Sequence, residues 1–276
     1  MEAAPVAEEG GMKLYNSNLA PNPRRVRIFL AEKGVKIPRI EVDLGKLEHK
    51  APEFSALNPF QTIPILELDD GTRIAESIAI CRYIEELWPE PNLFGLTALE
   101  RATIEMWQRQ LELRLLLPIA QVLRHSHPHM AEMENPQVPE WAAANRPRAL
   151  RAMAIVDEAL RDRPFIAGDR FTVADITGLV ALDFARPARI AIPQELANLI
   201  RWRETLKARP SATAWGAGFC SPARHTGSSR SVSCRRARRR ATSSAGRHRG
   251  AHRRRRHFAG SRHSVPDESR PRSRRP

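Results

Sequence analysis

The chain opens with a series of short strand patterns broken by amphipathic helix patterns. Strand-like segments of alternating or mostly apolar residues occur at 12–17, 37–44, 62–68 and 72–77. A helical spacing of i, i+3, i+4 and i+7, apolar apart from Lys33, follows the first and the last of these strands, and a short helix fits the loop after the second. The order β-α-β-α-β-β-α predicts an α/β thioredoxin-like domain over residues 12–89.

The strand patterns stop after a linker at 90–96. Helical spacing then recurs in four segments, at 97–124, 141–163, 173–187 and 194–208. The most apolar stretch, 111–123, contains Arg114 and Pro118 and is too short to cross a bilayer. We therefore expect an all-α C-terminal domain over residues 97–215 and no membrane partner.

The first helix has clear start and stop signals. Asn22 is a suitable N-cap, Pro23 suits the first helical position, and Gly34 suits the end. The position just before this helix, where a reactive hydroxyl or thiol is sought, holds Ala20.

Charge divides the chain into two parts. Residues 216–276 contain 18 arginines, no lysine and only two acids, which is +16, whereas the whole chain is +14 and residues 1–215 are therefore −2. We expect the Arg-rich tail to be disordered and to bind nucleic acid non-specifically. Out-of-frame translation of a GC-rich coding sequence gives the same composition, and this origin stays open.

Targeting signals are absent from the amino-terminal sequence. Residues 1–11 have no basic segment and no apolar run, so they are expected to form a loose extension and not a secretory signal. The chain has three cysteines, of which Cys220 and Cys234 lie in the tail, and they do not suggest a disulfide framework. A reducing, cytoplasmic location is expected.

Pro64 lies inside a strand pattern, where its missing N–H would interrupt the ladder. A cis Ile63–Pro64 bond would explain this and would leave the backbone of Ile63 free to pair with an extended peptide ligand. A proline in an edge strand, without any function, is the alternative.

The segment Ala75–Ser77 joins the last strand to a helix. Ser77 and the helix N–H groups are suited to hold a carboxylate, and Glu76 is suited to hold an ammonium, so that together they match an α-amino acid head group. A plain helix cap is the simpler alternative. Further along, Thr172 and Asp175 form a capping-box pattern, with Phe171 and Ile176 placed as a hydrophobic staple, which is a folding signal.

Taken together, these motifs resemble the cytosolic glutathione transferases over about residues 12–215. The segment 47–68 is similar to the phi class and to related bacterial and fungal enzymes. The resemblance implies that Glu76 and Ser77 hold the γ-glutamyl head of glutathione and that the Ile63 backbone pairs with its cysteinyl residue. It also implies the contacts of three further residues: a polar contact from Thr62 and a glycyl-carboxylate contact from His49 and Lys50.

The sequence departs from the family pattern at two positions. Gln61 stands where glycine is frequent, which would be strained if the turn needs a positive φ. The serine that activates the thiol in phi-like enzymes falls on Ala20, as in bacterial and fungal members that lack the usual Tyr, Ser or Cys. The thiolate would then depend on the N-terminus of the first helix.

A second polar group is expected to help hold the thiolate. Ser17 is the nearest hydroxyl in the sequence, and His125 or Ser126, at the end of the first long helix of the second domain, is suited to hold a water against the thiolate. A solvent-exposed helix end is the alternative for His125. No metal site is expected at the nearby histidines, because Pro128 interrupts them and they have no evident acidic or Cys partner.

These observations predict an enzyme that conjugates the thiolate of reduced glutathione to small, largely apolar electrophiles. Glutathione is its co-substrate, no metal is required, and a homodimer is expected from the resemblance. The alternative is a protein of the same fold that binds ligands or partners with weak or no conjugating activity.

Overall fold

The computed structural model describes residues 11–214. The expected loose extension, apart from Gly11, and the Arg-rich tail with Cys220 and Cys234 lie outside the described residues.

A four-stranded mixed sheet forms the centre of the N-terminal domain. Its strands, in chain order, are β1 (Lys13–Asn16), β2 (Arg39–Glu41), β3 (Ile65–Glu67) and β4 (Arg73–Ala75). The spatial order is β2-β1-β3-β4, with β1 parallel to β2 and β3 antiparallel to both β1 and β4. Three helices complete this domain: α1 (Pro21–Lys33), α2 (Pro52–Leu57) and α3 (Ser77–Leu87). The predicted element order and the thioredoxin-like fold are confirmed.

The strands are shorter than their sequence patterns. Pairing between β1 and β2 nevertheless continues past the strand ends, because Leu14 N–H donates to Pro38 O at 2.9 Å and Val42 N–H donates to Asn16 O at 2.7 Å. Pro38 and Pro64 lack the N–H that a full ladder needs, which limits the regular strands that follow them.

Helix α1 begins earlier than predicted. Its first residue is Pro21, so Ala20 and not Asn22 is the N-cap, and no side chain caps the helix. The Asn22 side-chain oxygen instead accepts a hydrogen bond from Arg25 at 2.8 Å. The expected stop is confirmed, since Gly34 has φ 67° and its N–H donates to carbonyls of the last turn.

The C-terminal domain is all-helical, as predicted. Its helices are α4 (Ala98–Gln110), α5 (Leu117–Ser126), α6 (Pro139–Ala159), α7 (Val173–Phe184) and α8 (Ala197–Lys207). A π-helical segment, Leu111–Leu116, joins α4 to α5 just before Pro118, whose missing N–H disturbs the regular α-helical bonding. None of the helices in residues 11–214 is both long and apolar enough to span a bilayer.

Most buried apolar residues form one cluster that extends through both domains, from Leu14 and Phe29 to Trp202. A smaller cluster of Val42, Phe54, Ile63 and Ile65 lies beneath α2. The capping box at α7 is present. The two domains are therefore packed together, and α2 and the Ile63 turn are fixed by their own small core.

Candidate active site

Three chain segments meet at one edge of the sheet. In the pairing register, Tyr15 lies opposite Ile65, and Ile65 lies opposite Ala75. The carboxyl ends of β1 and β4 and the amino end of β3 therefore share this edge. The loop after β1, the turn before β3 and the start of α3 are brought together, with two helix N-termini directed at the same place.

The start of α3 offers several groups to an anion. Ser77 is 2% exposed, and its hydroxyl oxygen has no hydrogen-bond partner among the described residues. The first N–H used inside the helix is that of Ile80, which donates to Glu76 O at 3.0 Å, so the three N–H groups before it have no intrahelical acceptor. This unpaired set of donors is suited to a carboxylate.

Glu76 stands beside these donors with a strained backbone. It is exposed, precedes the first residue of α3 and has φ 70°, a left-handed value that is uncommon for a residue other than glycine. Ser77 was expected to cap the helix, but Glu76 occupies the N-cap position without a side-chain cap. Both side chains are therefore left available at the sheet edge, as a ligand site requires.

The turn before β3 has the predicted form. The Ile63–Pro64 bond is cis. In the described range, neither the N–H nor the C=O of Ile63 has a protein hydrogen-bond partner, which fits pairing with an extended ligand. Gln61 adopts φ 54° and is held by Ser55, while the Thr62 hydroxyl accepts a hydrogen bond from Asn58 at 3.0 Å.

His49 and Lys50 lie on a short 3-10 turn, Glu48–Lys50, before α2. His49 is 7% exposed and its Nδ1 has no partner among the described residues, whereas Lys50 is exposed. Burial, with the positive charges of Lys50 and Arg124, lowers the pKa of His49, so its ring is neutral near neutral pH.

The start of α1, after the loop that follows β1, offers few backbone hydrogen-bond donors. Pro21 and Pro23 have no N–H, so Asn22 is the only one of the first three helical residues that offers one. Ser17 is 5% exposed and lies directly after β1, and its carbonyl accepts from Arg27. Ala20 contributes no polar side chain at the helix start, as predicted from the sequence.

His125 makes its hydrogen bonds with residues of the helical domain, and its predicted role beside the thiolate stays a prediction. Its Nδ1 accepts the Val138 N–H at 3.1 Å, and its Nε2 lies 3.1 Å from the side-chain oxygen of Gln121. The Nδ1 contact joins the end of α5 to the start of α6, whereas the Nε2 contact stays within α5. The Ser126 hydroxyl likewise donates to Val122 O at 2.6 Å.

The sequence analysis missed Arg27, which is 4% exposed and contacts the loop after β1 directly. The available signal was three arginines within the four residues 24–27, directly before the apolar run Ile28–Leu30, because charged side chains are rarely buried without a reason.

Two family models match the two domains. Residues 20–87 match the glutathione S-transferase N-terminal domain, and residues 120–210 match the glutathione S-transferase C-terminal domain.

Several known proteins are similar to the chain. Glutathione S-transferase 2 of Saccharomyces cerevisiae is 42% identical over 203 residues, which cover 72% of this chain and 87% of the relative. Glutathione S-transferase 3 of Zea mays is 34% identical over 214 residues, covering 72% and 90% of the two chains.

Solved structures of glutathione S-transferases are also similar to this chain. The crystal structure of Gtt2 from Saccharomyces cerevisiae superimposes with a TM-score of 0.70 at 42% identity, over 72% of this chain and 97% of that one. A glutathione S-transferase domain-containing protein from Marinobacter aquaeolei superimposes with a TM-score of 0.71 at 41% identity, over 73% of this chain and all of that one.

Proposed function

Because the chain belongs to the glutathione S-transferase family, we propose that it transfers the thiolate of reduced glutathione to small, largely apolar electrophiles. The observation that carries the proposal is the buried, unpartnered hydroxyl of Ser77 beside the exposed carboxylate of Glu76. A buried polar group without a partner is costly, and a ligand carboxylate would satisfy it.

Glutathione has two carboxylates, one ammonium and one thiol, and the sheet edge offers a partner for each. Ser77 and the N–H groups at the start of α3 bind the γ-glutamyl carboxylate, and Glu76 binds the ammonium. The backbone of Ile63 pairs with the cysteinyl residue as an added strand.

The remaining contacts reach the far end of the ligand. His49 and Lys50 bind the glycyl carboxylate, with Lys50 as the cation and His49 as a hydrogen-bond donor. Thr62 adds a polar contact through its hydroxyl proton, since its oxygen already accepts from Asn58.

The thiol lies over the loop between β1 and α1. The N-terminus of α1 stabilises the thiolate through its dipole and the Asn22 N–H, and Ser17 supplies the nearest hydroxyl. Of the two catalytic residues predicted from the sequence, Ser17 is the one that lies at this edge. His125 would contribute only by releasing Gln121 or Val138, its present partners.

The electrophile binds on the apolar side of the thiol. Leu19 is 75% exposed in the loop that precedes α1, one residue from Ala20, and offers an apolar surface next to the sulfur. The thiolate attacks the electrophilic atom, a sulfur–carbon bond forms, and the leaving group departs or a proton is taken up from solvent. Apolar substrates fit this surface.

The active form is a homodimer. Leu99, Met106 and Leu113 recur at intervals of seven residues along α4 and the π-helical segment, and they are 77%, 46% and 51% exposed. Phe60, at 86% exposure, projects from the N-terminal domain. An exposed apolar row of this kind is typical of a surface buried against a second copy.

The proposed cellular location and the nucleic-acid partner are inferred from the sequence alone. The cysteine content fits a reducing, cytoplasmic location. Nucleic acid is a non-specific partner, bound through the Arg-rich tail at residues 216–276, if that segment is present in the mature protein.

Retention on immobilised glutathione, with elution by free glutathione, tests the proposal together with conjugation of a small aromatic electrophile. We expect specific elution and measurable conjugation by the full chain. Retention without conjugation would favour the alternative of a non-catalytic binding protein, and absence of both would refute the assignment of the site.

A further inference from the structure

Helix α1 contains three arginines that are almost completely buried. Arg24, Arg25 and Arg27 are 4%, 2% and 4% exposed. Taking a guanidinium out of water is costly unless each of its donors finds a partner. The partners of these three residues therefore indicate what each of them does.

Two of these arginines join the domains through acidic partners. Arg24 Nη2 lies 2.8 Å from Asp183 Oδ2 on α7, and Arg25 Nη1 lies 2.9 Å from Glu112 Oε1 on the π-helical segment. Such pairs dock α1 onto the helical domain.

Arg27 has a different set of partners, which are neutral oxygens at both ends of the described chain. Its Nε donates to the carbonyl of Ala214 at 3.0 Å, and its Nη1 donates to Asn16 Oδ1 at 2.5 Å and to the carbonyl of Ser17 at 3.0 Å. Its Nη2 lies 3.5 Å from the carbonyl of Asn18. The planar guanidinium thus spans from the end of the helical domain to the loop after β1.

The charge of Arg27 is retained at this position. Burial, and then the positive charges of Arg39 and Arg24, lower its pKa to about 10, while Glu41 opposes this shift. Glu41 also accepts a hydrogen bond from Asn16 Nδ2 at 2.6 Å. Because a pKa of about 10 is well above neutral, a fixed positive charge lies directly behind the Ser17–Asn18 backbone.

The loop in front of Arg27 needs this support. With prolines at two of the first three positions of α1, the thiolate has only the Asn22 N–H as a helix donor. Ala20 adds no hydroxyl. Besides the Ser17 hydroxyl, the position of the loop and the electrostatic field behind it are then the means of stabilising a thiolate.

We propose that Arg27 is a positioning residue for the glutathione thiol, which holds the Ser17–Asn18 backbone in place and ties it to Ala214 at the end of the helical domain. This inference rests on the proposed function. Arg27 does not touch the sulfur, and it acts through the loop and through its charge.

The test compares Arg27→Gln and Arg27→Lys with Arg24→Gln as the matched control. Arg24 is equally buried on the same helix, but its acidic partner is on α7. The pKa of the bound glutathione thiol is measured by thiolate absorbance, and kcat and KM for glutathione are measured for each folded variant. Melting temperature reports the structural cost separately.

We expect Arg27→Gln to raise the bound thiol pKa by about one unit and to lower kcat roughly tenfold, with KM for glutathione little changed. Arg27→Lys keeps the positive charge but loses the planar guanidinium with its several donors. We expect it to restore most of the lowering of the thiol pKa but only part of kcat. Arg24→Gln is expected to lower the melting temperature and to leave the thiol pKa unchanged.

An unchanged thiol pKa and kcat in folded Arg27→Gln would overturn the inference, as would an equal shift in Arg24→Gln. If Arg27→Gln does not fold, Arg27→Lys provides the test. A wild-type kcat in Arg27→Lys would overturn the inference, and a reduced kcat at constant KM would support it. A wild-type protein that binds no glutathione would instead refute the proposed function, before any variant is compared.

Discussion

The buried hydroxyl of Ser77 in the unliganded protein gives the clearest residue-level test of glutathione binding. Its hydroxyl is buried and has no hydrogen-bond partner within residues 11–214, so removing it costs the folded protein little. The same hydroxyl binds a charged carboxylate in the proposed complex. We expect Ser77→Ala to weaken glutathione binding by roughly 1–3 kcal/mol, measured by calorimetry, without lowering the melting temperature.

A control for this variant is Thr205→Ala, whose hydroxyl donates to Arg201 O on α8, in the other domain. It should leave glutathione affinity unchanged. Unchanged affinity in Ser77→Ala would remove the start of α3 from the binding site. A large fall in its melting temperature would show that the hydroxyl has a structural partner.

His49 predicts a proton linkage. Burial and the charges of Lys50 and Arg124 lower its pKa below the usual 6.5, so the neutral ring predominates in the unliganded protein at pH 6.5. A ligand carboxylate favours the charged ring and raises that pKa again. Glutathione binding should therefore take up a proton, and affinity should increase as the pH falls through this range.

Calorimetry with S-methylglutathione, which has no thiol proton to release, in two buffers of different ionisation enthalpy measures this uptake. We expect the observed enthalpy to depend on the buffer for the wild-type protein and not for His49→Gln. Equal enthalpies for the wild-type protein in both buffers would place the glycyl carboxylate away from His49.

Several of these residues could be found from the sequence because local chemistry alone marks them. Glu76 and Ser77 follow a strand and open a helix, and Pro64 interrupts a strand pattern, so each has a role that short-range rules detect. The partners of His125 and Arg27 come from distant parts of the chain: Val138 lies on the far side of a loop, and Ala214 lies at the other end of the fold. No local pattern indicates such contacts.

Among the helices, the start of α7 depends on one carboxylate. Asp175 is completely buried and accepts hydrogen bonds from Thr172 N and Oγ1, Ile166 N and Trp202 Nε1, at 2.8 to 3.0 Å. Burial outweighs these donors and raises its pKa to about 6. This carboxylate ties the start of α7 to the preceding loop and to α8.

We expect Asp175→Ala to reduce the free energy of unfolding by at least about 3 kcal/mol, because several buried donors lose their acceptor at once. Chemical denaturation of the purified protein measures this. Glu158→Ala, an exposed carboxylate paired with Arg161, is the control and should change stability little. Similar losses in the two variants would contradict the role given to Asp175.

The observed helix boundaries show which helix starts can be predicted from the sequence and which cannot. The capping box at Thr172 was predicted correctly, since its two residues fix the helix start between them. The start of α1 was predicted two residues late, because Asn22 is a good cap but Pro21 also fits a first helical position. The π-helical segment before Pro118 was not predicted, since sequence periodicity did not distinguish it from a continuous α-helix.

The two domains form one working unit, and this follows from the packing of α1. Its apolar face lies in the core that both domains share, and its arginines reach α7, the π-helical segment and the carbonyl of Ala214. The two-domain order was predictable from the switch between strand and helix periods. The pairing across the interface was not, because it joins residues that are far apart in the sequence.

The central claim is that this molecule activates the thiol of glutathione although Ala20, the residue directly before α1, has no hydroxyl. The pKa of the thiol of glutathione bound to the wild-type protein, measured by thiolate absorbance against pH, tests it most directly, with S-methylglutathione as the blank. The account predicts a value at least about one unit below the free thiol value of about 8.5. A bound pKa equal to the free value would contradict it.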